Sequence, residues 1–206
     1  MKEFKHLPGL DLIRVFGILV VVFYHYQVET AVRGLCPADF LPAMEPLVQV
    51  AVYTMTLLSG SCLCWPEKSR SWSMKRYLWG RFLAIYPLFW LCFFPIFIYS
   101  DIICGNNEGV APWKLLLSIV GVDGYFQSFT PTFYKIGEWY LGCILFLYAV
   151  FPVLWRMIRR RGVVFAAVGA LFAWLACCFV ENPGQLYPTL IGQLPLFFMG
   201  IFLGGC

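Results

Sequence analysis

Long apolar runs, separated by short polar segments, follow one another along almost the whole chain. Six of these runs are long enough to cross the hydrocarbon core of a bilayer as helices, which takes about 20 residues. The predicted spans are residues 9–28, 47–64, 81–100, 138–155, 163–180 and 188–205. The pattern therefore predicts an all-α, polytopic integral membrane bundle of about six transmembrane helices.

One further apolar stretch, residues 113–122, is too short to cross a bilayer. If it did cross, every later segment would change sides, and the basic residues 159–161 would lie outside. We therefore expect this stretch to form a re-entrant or interfacial helix on the outer side.

Composition supports the membrane assignment. Hydrophobic residues make up 61% of the chain and charged residues 13%, whereas a soluble domain is about half apolar and about a quarter charged. In a membrane protein, the distribution of the basic residues that give the net charge of +4 indicates which loops lie inside the cell. We expect membrane lipids around the chain and no nucleic-acid partner. The nine Cys residues lack the paired spacing of zinc sites, so no metal is expected.

The basic residues predict the orientation. With the N-terminus inside, the inner segments carry eleven Lys and Arg residues and the outer segments carry three. Inner loops of membrane proteins are enriched in Lys and Arg. We therefore predict that both termini are cytoplasmic and that the basic residues 156–161 form an inner turn between the fourth and fifth spans.

Three ionisable residues, Asp11, Arg14 and His25, lie on the first apolar run. Ionisable groups inside a membrane span are costly and often functional. Arg14 and His25 are eleven residues apart, which places them on one helix face about 16 Å from each other. Simpler roles are an Asp11–Arg14 pair at the membrane surface, an Arg14 that reaches into the headgroups, and a His25 that only fills a hydrogen-bonded packing position.

The order Leu-Asp-x-x-Arg, then an apolar run and a His, resembles the opening helix of the membrane-bound acyltransferase 3 family. Members of this family O-acylate surface polysaccharides and related acceptors. The resemblance implies that His25 is the catalytic base and that Arg14 contacts the acyl donor. Asp11, beside Arg14, is assigned to donor or acceptor binding.

Two later motifs extend the resemblance. Ser59 and Gly60 end the second run, where the family also has a Ser-Gly pair, and the resemblance assigns them to donor or acceptor binding, although small residues at this position also suit helix packing. Arg81 begins a match to the family pattern Arg-x-x-Arg-Ile-x-Pro, in which Ala84 replaces the second Arg. An Arg here suits the phosphates of a cytosolic donor such as acetyl-CoA, while inner loops are basic in any case.

The last two similarities lie in the second half of the chain. Glu138 and Trp139 open a stretch similar to the family's Trp-aromatic-Leu segment and are assigned to donor or acceptor binding, although an aromatic belt would explain Trp139 equally well. Residues 195–200 resemble a later family helix, and there Gly200 and Gly204 predict a packing face of small residues.

The resemblance implies one acyltransferase domain over residues 1–206, in the bacterial plasma membrane. Its expected reaction moves an acyl group, with acetyl expected, from acyl-CoA to a hydroxyl of a cell-surface or lipid-linked carbohydrate, without a bound cofactor. Family members have more helices than six, so we expect the chain to be truncated on its C-terminal side. The alternatives are a glycan transporter or flippase-like helper and an inactive remnant of the enzyme.

Overall fold

The computed structural model describes residues 8–35, 37–67, 73–106, 109–126, 129–179 and 190–205. Within these ranges the regular elements are helical throughout. In chain order, the α-helices are α1 (Pro8–Val32), α2 (Leu41–Glu67), α3 (Met74–Phe97), α4 (Leu115–Val120), α5 (Asp123–Phe126), α6 (Trp139–Phe179) and α7 (Leu190–Gly205). Short 3-10 turns precede α2 and α4, and a wider π-helical turn, Ile98–Ile103, continues α3.

Four stretches of the described chain are long and apolar enough to cross a membrane: Pro8–Val32, Leu41–Cys64, Met74–Ile103 and Trp139–Ile158. The predicted sixth span corresponds to a shorter apolar helix, Leu190–Gly204. The predicted all-α membrane bundle is confirmed, with four helices of spanning length in the described residues where about six were expected.

The predicted turn between the fourth and fifth spans was wrong. Residues 139–179 form one continuous helix of 41 residues, about 62 Å long and twice the thickness of the hydrocarbon core. Residues 156–161 consist of Arg, Met and Ile, which are compatible with a helix, and Gly162 alone does not end one. The cluster of charges therefore marks a change in polarity but does not interrupt the helix.

The chain divides into two compact units. The first contains α1, α2, the part of α6 from Ile158 onward and nearly all of α7. The second contains α3, α4, α5 and the part of α6 up to Met157. The two units are described separately below.

In the first unit, α1 packs along α2 through a side lined by small and branched residues. A Cβ atom on Gly17 would lie 3.2 Å from the terminal methyl of Met55 and 3.7 Å from the carbonyl oxygen of Ala51. Val20 is buried with Val48 and Ala51 in the same contact. Glycine lets the two backbones approach closely at this point, and this approach determines which side of α1 faces α2.

The contact between α2 and α7 is closer still. A Cβ atom on Gly200 would collide with the carbonyl oxygen of Leu57, and one on Gly204 with that of Ser61. Between the helices, the Thr56 hydroxyl and the Gln193 side-chain oxygen lie 2.6 Å apart, and both residues are fully buried. The predicted packing face of Gly200 and Gly204 is confirmed.

In the second unit, α3 and the first part of α6 run antiparallel. The Tyr77 hydroxyl donates a hydrogen bond of 2.8 Å to the backbone oxygen of Tyr148, and the Tyr77 ring stacks on Phe151. Further along α3, Phe89 and its neighbours pack against Leu141. The first turn of α6 therefore lies beside the middle of the helical stretch 74–103, not beside one of its ends.

The segment between α3 and α6, which we call the connector (residues 104–138), also reaches the middle of α3. Its helix α4 has only six residues, as expected for a piece too short to span. The Tyr86 hydroxyl donates to the carbonyl oxygen of Val120 at 3.0 Å, and the Trp90 indole nitrogen donates to that of Ile119 at 2.9 Å. These side chains satisfy carbonyls at the end of α4 that have no partner within that helix. The predicted re-entrant or interfacial position of this helix on the outer side stays a prediction.

Candidate active site

Arg14 is held between two helices of the first unit. Its guanidinium lies 3.2 Å from Asp11 Oδ1, one turn away on α1, and 2.9 Å from the sulfur of Cys62 on α2. The Arg14 side chain is 38% exposed, so the cation is fixed in direction while part of it stays open. The predicted Asp11–Arg14 pair is present, and Cys62 adds a contact that the sequence did not reveal.

His25 lies on the same unbroken helix as Arg14, in agreement with the predicted common face. At about 100° per residue, Asp11, Arg14, His25 and Glu29 fall within an arc of about 60° beside the edge that packs on α2. We call these four residues the polar stripe of α1. The remaining outward positions of α1 are apolar, so the stripe is a distinct chemical feature of this helix.

The imidazole of His25 is exposed and meets the edge of the Tyr24 ring, with the ring centroids 6.0 Å apart. It is therefore not the buried packing histidine of the simpler interpretation. The described residues do not enclose His25, and its catalytic role stays a prediction.

Ser59 and Gly60 lie on α2 in the first unit. Ser59 is half-buried. A Cβ atom on Gly60 would collide with the backbone oxygen of Phe197 and would lie 3.0 Å from the backbone nitrogen of Ile201, both on α7. The space that a ligand would need beside Gly60 is filled by α7, so the structure accounts for this glycine by helix packing and gives no support for its predicted role in binding.

Arg81 occupies a partly buried position on α3 in the second unit. Its guanidinium carbon lies 5.5 Å from the centre of the Tyr148 ring on α6, a distance at which a cation is attracted to an aromatic face. No described residue accepts a hydrogen bond from its buried Nε. Ala84, which stands at the second Arg position of the motif, is exposed.

A cavity of about 760 Å³ opens near the start of α3. Lys75, Arg76, Trp79 and Phe82 line it together with Ser73 and Leu78. The rings of Trp79 and Phe82 are stacked with centroids 5.4 Å apart, and both basic side chains are exposed. The cavity therefore combines two cations with an aromatic wall.

Glu138 and Trp139 stand at the start of α6 and are not on an open surface. Glu138 is 2% exposed, and its carboxylate accepts hydrogen bonds from the backbone N–H groups of Lys135 and Ile136, both at 3.3 Å. Because Glu138 is buried, its carboxyl group is not accessible to a donor or acceptor in this structure, as the predicted binding role would require. Trp139 is half-buried and meets the ring of Tyr140 edge to face.

Asp123, on α5, is a second buried carboxyl near Glu138 that the sequence analysis did not single out. Burial raises the pKa of Asp123, while the nearby Ser118 hydroxyl opposes that rise. Burial raises the pKa of Glu138 as well, and the charge of Asp123 raises it further. A lone carboxylate between glycines in an apolar segment was the available signal.

Comparison with known proteins agrees with the resemblance carried by the motifs. The family model described as "Acyltransferase domain" matches residues 7–205. The chain belongs to the acyltransferase 3 family. It is 26% identical over 191 residues to "Acyltransferase MdmB" of Streptomyces mycarofaciens, an alignment that covers 85% of this chain and 47% of that protein. The chain thus spans about half the length of the curated relative that it matches, and no solved structure matches it.

Family membership and the apolar helices together make this an integral membrane protein of the acyltransferase 3 family. Within the acyltransferase 3 pattern, the first unit carries Asp11, Arg14, His25 and Ser59 on two adjacent helices. The second unit carries Arg81, Glu138 and Trp139. The structure therefore joins Asp11 and Arg14 to Cys62 of α2, leaves His25 on the same helix about 16 Å from Arg14, and separately places Arg81 beside Tyr148 of α6.

Proposed function

We propose that this acyltransferase 3 protein moves an acyl group, specifically acetyl, from acyl-CoA to a hydroxyl of a cell-surface or lipid-linked carbohydrate. The bacterial plasma membrane is its proposed location. The observation that carries the proposal is the polar stripe of α1, where a fixed guanidinium and an exposed imidazole lie on one side of a helix of spanning length.

The chemistry follows from the two side chains. The imidazole of His25, whose ordinary pKa is near neutrality, would accept the proton of the acceptor hydroxyl as its oxygen attacks the thioester carbonyl carbon. As the carbon–sulfur bond breaks, the same proton would pass from His25 to the departing CoA thiolate. Arg14, about 16 Å from His25 along α1, would bind negative charge on the phosphate-bearing part of the donor.

The donor end of the proposal rests on the second unit. Arg81 has a buried N–H without an acceptor among the described residues, and the cavity at the start of α3 offers Lys75 and Arg76 beside stacked aromatic rings. Guanidinium and ammonium groups bind phosphates, and aromatic rings stack on bases. These groups would compensate for the Arg that Ala84 replaces, and they would hold the nucleotide part of acyl-CoA at the inner face.

The test is transfer of labelled acetyl from acetyl-CoA to membrane glycan by the wild type, His25→Ala and His6→Ala. His6 is the other of the two histidines in the chain and serves as the matched control. Label that appears with the wild type and His6→Ala and is lost with His25→Ala, at equal protein level, supports the proposal. Equal label with all three proteins removes His25 from the chemistry, and no label with any of them contradicts acyl transfer by this chain.

A further inference from the structure

The connector buries two carboxyl groups, and the charge of one acts on the other. Asp123 on α5 is 0% exposed and Glu138, directly before α6, is 2% exposed. Gly124 brings them together, since a Cβ atom there would lie 2.5 Å from the Cα of Trp139. The residues next to Asp123 and Glu138 are thus in direct backbone contact.

The cations of the connector are already engaged. The ammonium group of Lys135 lies 3.1 Å from Asp101 Oδ2, in a pair whose side chains are 20% and 3% exposed. Lys114 donates to the Thr130 hydroxyl and to the backbone oxygen of Pro131. Neither cation is paired with Asp123 or Glu138 among the described contacts. Two ionised carboxylates at this place would repel each other with no cation of the connector to neutralise them, which is very costly in a buried position even with the two backbone hydrogen bonds to Glu138.

Hydrogen bonding is equally incomplete. Neither oxygen of Asp123 has a hydrogen bond of standard geometry from a described residue, and the same holds for the fully buried hydroxyl of Ser118, close to Asp123 on α4. A protonated carboxyl could donate to this hydroxyl or to the other carboxylate, whereas an ionised one could only accept. The Ser118 hydroxyl has only one proton to donate, so a proton on one of the carboxyls adds a donor and at the same time removes the repulsion between the two charges.

We propose that Asp123 and Glu138 share one proton and form a buried proton-binding site that holds the connector against the start of α6. The two groups titrate as a pair, as carboxyls in such proximity do. The proposed proton-binding site does not depend on acyl transfer.

The sign of the pH dependence follows from the raised pKa of each carboxyl. A group with a raised pKa in the folded protein stabilises the fold at pH below its ordinary pKa, and this stabilisation is lost as pH rises through the raised value. The connector should therefore be held most firmly at acidic pH and loosen as the shared proton leaves. The other titratable groups around the pair are Tyr125 and Cys143, in contact with each other, and the Lys135–Asp101 pair.

The experiment uses the full chain in lipid nanodiscs, with infrared spectra recorded across a pH series. The wild type should show the band of one protonated carboxyl near neutral pH, and this band should be lost in both Asp123→Asn and Glu138→Gln. Asp39→Asn, which neutralises an exposed carboxyl in the first unit, should retain it. A band that survives in both connector variants overturns the proposal.

Amide hydrogen exchange of residues 115–126, corrected for intrinsic rates, gives a second readout. Protection in the wild type should fall as pH rises, while Asp123→Asn, which cannot ionise, should keep its protection across the same range. If Asp123→Asn misfolds, its protection will be lost at every pH. Glu138→Gln is therefore measured as a second variant that removes the other carboxyl of the pair. Identical pH profiles in the wild type and both variants would show that no shared proton holds the connector.

Discussion

The guanidinium of Arg14 lies 2.9 Å from the sulfur of Cys62, which stands 48 residues later on the neighbouring helix. With Asp11 on its other side, Arg14 is held from two directions while part of its surface stays open. Cys62 is thus a positioning residue for the cation that the proposed reaction needs.

Removing the sulfur should therefore impair the reaction without abolishing it. Cys62→Ala should lower kcat/KM for acetyl transfer by roughly fivefold, because a hydrogen bond contributes about 1 kcal/mol. Cys62→Ser, which retains an acceptor, should recover most of the loss. Cys92→Ala, at an exposed position on α3, is the control, and equal rates for Cys62→Ala and Cys92→Ala would contradict the positioning role.

The glycine contact between α2 and α7 predicts a large effect on stability. Gly200→Ala should destabilise the protein by about 1–3 kcal/mol, because the added methyl would collide with the Leu57 carbonyl. Gly80→Ala is the matched control, since a Cβ atom there meets nothing within 4 Å and alanine favours the helix. Thermal unfolding in detergent checks the pair, and equal melting temperatures for the two variants would be incompatible with this contact.

Two ion pairs that differ in burial should contribute unequally to the free energy of unfolding. Lys135→Gln would leave the buried carboxyl of Asp101 unpaired and should cost about 3 kcal/mol, and adding Asp101→Asn should recover part of this loss. Arg33→Gln breaks the Glu29–Arg33 pair, whose side chains are more than half exposed, and should cost under about 1 kcal/mol. Denaturation of the four proteins measures both values, and a similar cost at the two sites would be unexpected.

Lys75 and Arg76, which line the cavity at the start of α3, predict a change in donor affinity. Lys75→Gln combined with Arg76→Gln should raise the KM for acyl-CoA by about tenfold with kcat little changed, since these groups would hold phosphate away from the reacting carbonyl. Arg160→Gln removes an exposed cation from α6 and controls for the loss of positive charge. A fall in kcat without a change in KM would assign the two residues to another role.

Much of the fold could be predicted from the sequence because apolar length and charge placement constrain membrane helices strongly. The spans of α1, α2 and α3 and the non-spanning nature of α4 were obtained in this way. The sequence could not show that α6 is one continuous helix. The Arg residues among 156–161 mark a change in polarity, but they are compatible with a helix. The orientation in the membrane stays a prediction.

The candidate site was predictable only within single helices. Helical spacing placed Arg14 and His25 on one face. It could not show that Cys62 meets Arg14 or that Asp123 meets Glu138, since both contacts depend on how separate segments pack. The same limit applies to Gly60, where a pattern of small residues suits a ligand and a neighbouring helix equally well until α7 is placed.

The hydrogen bonds from Tyr86 and Trp90 to the last carbonyls of α4 have a consequence for how the protein is made. The ribosome completes α3 before it begins the connector, so both donors exist before the carbonyls that need them. Exposed carbonyls in lipid are expensive, and α4 alone has too few residues to remain in the bilayer as a stable helix. We therefore expect the predicted re-entrant or interfacial placement of the connector to depend on α3, and a nascent chain whose α3 enters late or in the wrong direction should leave the connector in water.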